Sequence, residues 1–240
     1  MEPEEYLDVV VTEWLPLHWR DARYGRVLRA LADRFVEQHH DPWLRDVLAA
    51  NQSEAMVRGL TALGAALEGN LKDETERALE SSAEAARELR GAANEAGALR
   101  ADLEQTYALQ SAVRTAECRQ LGIALQRKTS QMGYRWIDGQ AYLAAGTCSS
   151  EKGDSGGAYH DLTRALEIGR DSGYQNLELR AAGILAGAQM QAGNMLATWD
   201  RSREGLERFW SGTFPAFAPT RSISTWFAPP NALHCGRRPM

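Results

Sequence analysis

GYRWIDGQAYLAAGTCSSEKGDSGGAYHDLTRALEIGRDSGYQNLELRAAGILAGAQMQAGN, residues 133–194, decides the fold. It holds two kinds of turn marker, each repeated 40 residues later: Gly133-Tyr134 with Gly173-Tyr174, and Gly153-Asp154 with Gly193-Asn194. Two markers recurring in phase define a repeated supersecondary unit, and this period is the signature of helical-repeat solenoids. Glycine followed by Asp or Asn suits a helix C-cap running straight into the next N-cap. The expected fold is therefore all-α, a right-handed superhelical array of antiparallel helix hairpins.

Outward from this stretch the same composition persists. From about residue 53 to 211 there is no proline, and Ala, Leu, Glu, Arg and Gln dominate without strand-like alternation. Gly69-Asn70, Gly153-Asp154 and Gly193-Asn194 read as turns inside hairpins; Gly97, Gly133 and Gly173 read as turns between them. That gives about four hairpin repeats at 53–91, 95–131, 135–171 and 175–211. The second should turn near Gln110-Ser111, where no glycine stands, and one long helix is its alternative. In the third unit Ala158, Leu162, Ala165 and Leu166 form the packing face of the second helix. Thr198, Ser202 and Gly205-Leu206 occupy those places in the fourth. Ala78, Ser82 and Ala85 share the register in the first, about four residues too far from Gly69-Asn70.

Residues 1–50 read as short helices packed on the repeats. Val9–Leu15 is a brief helix ending before Pro16, and Ala22–Gln38 a second one with Val27, Leu28, Leu31, Phe35 and Val36 on one stripe. Asp41-Pro42 has the form of a helix start, Asp41 as N-cap and Pro42 at the first helical position. Residues 212–240, with Trp226-Phe227 and Arg237-Arg238, read as an irregular tail: disordered, the altered or truncated end of a longer protein, or an unusual native end.

The third unit resembles a tetratricopeptide repeat, with Tyr142, Ala145 and Gly146 in its first helix and Ala158, Leu162 and Ala165 in its second. A longer run is similar to the N-terminal helical-repeat region of bacterial proteins that carry a C-terminal CHAT (caspase-like) domain. It comprises Tyr134 to Gln140, Gly153-Asp154, Arg164-Ala165-Leu166, Gly173-Tyr174, Trp199-Asp200 and Gly205-Leu206 with Phe209 to Gly212. The resemblance implies a scaffold in a signalling or protease-associated protein. The CHAT domain itself has no counterpart here, so no catalytic residue carries over.

Bulk properties narrow the function. A net charge of -5 gives no electrostatic reason to expect nucleic acid or an anionic membrane. No stretch has the length of a membrane span and the acidic start is unlike a signal peptide, so a cytoplasmic protein is expected. Cys118, Cys148 and Cys235 lack metal or redox spacing, and reduced thiols are expected.

Gly153-Asp154-Ser155-Gly156-Gly157 has the letters of a serine-protease nucleophile motif, but it falls in a repeat turn and lacks the β-barrel context. His160 and Asp161 share a helix with Ser155 and cannot converge on it. A hydrolase using Ser155 is thus the remote alternative. His39-His40 point about 100° apart on a helix and do not form a metal pair. No catalytic residue, metal or cofactor is expected.

In a solenoid the first helix of each hairpin lines an inner groove. The residues placed there are Gln140, Leu143, Thr147 and Glu151 of the third unit, with Arg180, Met190 and Gln191 of the fourth. Ser150, Gly183 and Gly187 line it with them. Their polar, weakly charged mix implies a protein or peptide as partner. The expected function is a non-enzymatic scaffold for protein–protein interaction; a helical homodimerisation module without a groove ligand is the alternative.

Overall fold

Turns of one design punctuate the chain. Backbone φ is positive at Asp73, Ala93, Val113, Gly133, Gly153, Gly173 and Gly193, a spacing of 20 residues throughout. At each turn the following residue donates its backbone N–H to the carbonyl five positions back, from Glu74 to Gly69 through to Asn194 to Gln189, at 2.8–3.2 Å. This is the Schellman closure, which satisfies carbonyls that a helix end leaves orphaned. Where the next residue is Asn94, Asp154 or Asn194, its side chain also caps the following helix, accepting from Gly97, Gly157 or Ala197.

These turns come from a computed structural model, which describes residues 3–18, 22–51 and 53–211. Its regular structure is all-helical. Helices α5 (Glu54–Leu71) and α6 (Thr75–Gly91), α7 (Glu95–Ser111) and α8 (Thr115–Met132), α9 (Arg135–Glu151) and α10 (Ser155–Ser172), and α11 (Gln175–Gln191) and α12 (Met195–Trp210) follow one another. Each packs against the next, and the odd-numbered helices α5, α7, α9 and α11 also touch in sequence.

The turn geometry corrects two readings of the sequence. Gly69 and Asn70 are buried inside α5, and the turn lies at Asp73. A Cβ on Gly69 would sit 3.1 Å from the backbone nitrogen of Ala78, so this glycine serves close helix packing. Gly97 lies inside α7, and Ala93 takes the left-handed turn before it. Segment 95–131 is two helices, turning at Ala112-Val113-Arg114, two residues beyond Gln110-Ser111. With the turns placed, the small packing positions fall into strict register. Ala78, Cys118, Ala158 and Thr198 are all buried, as are Ala85, Leu125 and Ala165. All but Leu125 are small, and small side chains there let the paired helix approach.

Residues 3–18 form one continuous helix: α1 (Pro3–Val9), a π-helical turn (Val10–Trp14) and α2 (Leu15–His18). Pro16 does not end it, as the sequence implied. Pro16 has no N–H to donate to Thr12, and a wider turn precedes it, with Leu15 donating to the Val10 carbonyl five residues back. Helix α3 (Ala22–His39) ends in a left-handed His40, and α4 (Trp43–Ala49) follows. Val27, expected on the apolar stripe of α3, is instead exposed. Pro42 is the N-cap of α4, and the Asp41 carboxylate accepts from the Trp43 N–H at 3.1 Å.

Cys118 of α8 and Cys148 of α9 are joined in a disulfide, where thiols were expected. The sequence separation of 30 hides the pairing, because the register of α8 against α9 brings the two together. Disulfides of this kind persist in oxidising surroundings, and cytosolic thiol pools reduce them. Among the described residues no helix is long and apolar enough to cross a membrane. Cys235, Trp226-Phe227 and the rest of the tail lie outside the described residues.

Candidate partner-binding face

The N-terminal segment is tied to the turns between hairpins. The Tyr174 hydroxyl donates to Asp41 at 2.9 Å, the Tyr134 hydroxyl to Asp46 at 3.0 Å, and the Asn94 amide to the Val47 carbonyl at 3.0 Å. These three residues stand 40 apart, so the Gly-Tyr repeats have a second use: their tyrosines anchor the preceding chain. Asp41 also accepts from the Trp136 N–H at 2.7 Å, and the His39 ring stacks on Tyr174 with centroids 4.8 Å apart. Burial pushes the Asp41 carboxyl above its ordinary range, against the pull of its donors. Burial likewise raises the Tyr134 hydroxyl, reinforced by the Asp46 charge.

One stripe recurs on each odd-numbered helix: Leu60, Gly64 and Leu67 on α5; Arg100, Glu104 and Tyr107 on α7; Gln140, Ala144 and Thr147 on α9; Arg180, Ile184 and Gly187 on α11. Such spacing keeps the residues on one side of each helix. The N-terminal helix covers the stripe at α5 and α7. Val11 and Thr12 approach the Cβ direction of Gly64 to 3.5–3.6 Å, and Asp8 pairs with Arg100 at 3.0 Å.

Arg100 is 1 % exposed, pairs with Glu104 at 2.8 Å, and lies over the Trp136 ring at 4.4 Å. Burial works against its charge, but Glu104 and Asp8 more than offset that and hold its pKa above the usual arginine value. Asn70 completes the cluster by donating to Glu104 at 2.9 Å. Sequence reasoning missed this centre, since its members are 92 and 4 residues apart and no motif links them. The available signal was positional: Arg100, Gln140 and Arg180 are equivalent under the 40-residue period.

The structure sorts the seven residues proposed for the groove. Gln140, Leu143 and Thr147 are buried, Arg180 and Met190 half-buried, and Glu151 and Gln191 exposed. Gln140 joins three helices, its oxygen accepting from the Tyr107 hydroxyl of α7 and from Arg180 of α11. Ser150 donates to Gln191 at 2.9 Å, linking the ends of α9 and α11. Access therefore narrows to the stripe on α11 and to the exposed helix ends beside it.

The structure also places the remaining candidate residues. Gly153 makes the turn, Asp154 caps α10, and Ser155 is the first residue of that helix. His160 is 75 % exposed and pairs with its neighbour Asp161 at 2.9 Å. His39 is buried against Tyr174 while His40 is exposed. Among the described residues no group of three or more His, Cys, Asp or Glu is placed to hold a metal. A cavity of about 10 Å³ among Arg170, Glu178, Leu179 and Arg201 has room for about one water.

No protein-family model, no curated protein and no solved structure matches this chain.

Proposed function

We propose that the chain is a non-enzymatic scaffold for protein–protein interaction, a tetratricopeptide-like superhelical array whose first helices form an inner binding face. The observation that carries the reading is the recurring stripe. At α5 and α7 it is filled by a helix of the same chain, and at α11 it is half open. A face that packs one helix at one end and lies open at the other is suited to a second helix. The 20-residue turn spacing and the contacts among odd-numbered helices support the superhelical arrangement. Within this reading the resemblance to the repeat region of CHAT-domain proteins points to a protease-associated or signalling role.

Affinity capture with the full chain tests it. A protein retained by the wild type should be lost when Glu151 and Gln191 are both changed to Arg, and kept by Tyr159→Ser on the outer side. Capture indifferent to the first pair, or loss only with the second change, refutes the inner face. Hydrolysis of peptide or ester substrates that Ser155→Ala abolishes would overturn the non-enzymatic part.

A homodimer is the second reading, favoured by the apolar side chains left on α12: Leu196, Trp199 and Trp210 are 81 %, 55 % and 73 % exposed. Sedimentation as a dimer that Trp199→Ser dissociates would establish it.

A further inference from the structure

We infer that the open stripe on α11 takes a helix bearing an acidic side chain, with Arg180 as the anchor for that carboxylate. This rests on the scaffold reading and names the partner's chemistry.

The chain supplies its own precedent. Arg100 holds the same position on α7, and there Asp8 of the N-terminal helix meets the guanidinium at 3.0 Å. Glu104, one turn further along α7, is its second carboxylate. On α11 both are missing. Ile184 replaces Glu104, and the N-terminal helix packs chiefly on α5 and reaches Arg100 of α7. Arg180 donates to the neutral Gln140 oxygen at 3.2 Å, its Nε is buried without a hydrogen-bond partner, and among the described residues no carboxylate pairs with it. A guanidinium in that state gains most from a bidentate carboxylate, which supplies charge and matching geometry together.

Shape points to a helix as the carrier. The N-terminal helix packs directly on α5 at Gly64, where a Cβ would stand 3.5 Å from the Val11 carbonyl oxygen, an ordinary van der Waals contact. On α11 the opening lies one turn further on, at Gly187, where a Cβ built on the backbone meets nothing within 4 Å. Arg180, Ile184, Gly187 and Gln191 follow helical spacing, half-buried along the stripe and exposed at Gln191. They present in turn a cation, an apolar side chain, a gap and an amide. A partner helix that places Asp or Glu at Arg180 and a bulky apolar residue over Gly187 fits this order.

The probe is a display library of helix-forming 16-residue peptides with one randomised face, selected on the full chain. Selected peptides should carry Asp or Glu at one fixed position and bind Arg180→Gln about 10- to 100-fold more weakly, as for loss of a charge-assisted pair. Arg180→Lys should recover part of that loss. Gly187→Trp should block binding with the melting temperature unchanged or higher, because the added ring enters open space, so lost binding cannot be blamed on unfolding. Binders without a fixed acidic position, or indifferent to Arg180→Gln and Gly187→Trp, overturn this inference and leave the scaffold reading standing. A library that yields no binder also overturns this inference, and the scaffold reading then stands or falls on the affinity capture.

Discussion

Asp41 shows how one residue can commit a chain to a fold. Its carboxylate collects donors from three elements: the N–H of Trp43 at 3.1 Å, the N–H of Trp136 at 2.7 Å and the Tyr174 hydroxyl at 2.9 Å. Asparagine is nearly the same size, but its amide nitrogen would face donors on one side. Asp41→Asn should therefore destabilise the protein by about 1–3 kcal/mol at pH 7, the usual cost of leaving a buried donor unmet. The pH dependence gives a sharper test. Burial raises the folded-state pKa of Asp41, so between the ordinary carboxylate value near 4 and that raised value the folded protein binds the extra proton. Stability from this group is then greatest near pH 4 and falls as pH rises through the raised pKa. Asp102 and Asp138 are raised by burial too, but they are common to both proteins and cancel in the comparison. Urea melts at pH 4, 5, 6 and 7 should show the margin of wild type over Asp41→Asn narrowing toward neutrality. A margin that widens instead would mean that the donors outweigh burial.

At the scale of the element, the helix ends decide what the sequence discloses. The four turns at Gly133, Gly153, Gly173 and Gly193 are visible because glycine takes a positive φ without penalty. Asp73, Ala93 and Val113 adopt the same geometry; aspartate tolerates it, while alanine and above all valine disfavour it. The left-handed conformation costs about 1–2 kcal/mol for an ordinary L-residue, less than the burial of a packed helix pair returns, so tertiary packing overrides the local signal. That is why Gly69 and Gly97 stood in for turns they do not make. It also fixes an expectation. Val113 is β-branched, 76 % exposed and at φ +59°, so Val113→Gly removes strain and sacrifices little packing. The variant should gain about 1 kcal/mol, and Gly153→Val should lose about 1–2 kcal/mol, both read from thermal or denaturant melts. A destabilised Val113→Gly would place this turn under some other control. The same blindness applies to the proposed binding face. Helical periodicity shows which residues share a side, and Arg180 and Gln191 were legible on that basis. It cannot show that Tyr107 and Arg180 close over Gln140, or that Asp8 reaches Arg100, because those contacts are set by how separate helices dock.

Across the whole molecule, two devices tie the hairpins to one another besides the helix-by-helix packing. The N-terminal segment spans the turns from Asn94 to Tyr174, and the disulfide joins α8 to α9. A consecutive array with nearest-neighbour contacts alone can fray from its ends, since each unit depends only on its neighbours. Cross-links that skip along the array make unfolding more cooperative. The disulfide contribution can be isolated, because Cys118 occupies the position of Ala78 and Ala158 and should tolerate alanine. Closing a loop across a separation of 30 residues restricts the unfolded chain by about 3–4 kcal/mol in the loop-entropy model. The Cys118→Ala, Cys148→Ala double variant should lose about that much in urea melts while keeping its helical circular dichroism. Reductant should lower the wild type to the same level and leave the double variant unchanged. Alkylation of the denatured, unreduced protein should then label Cys235 alone. Labelling of all three cysteines, with melts insensitive to reductant, would show that the pair exists as thiols and that the array holds together through packing and the N-terminal segment.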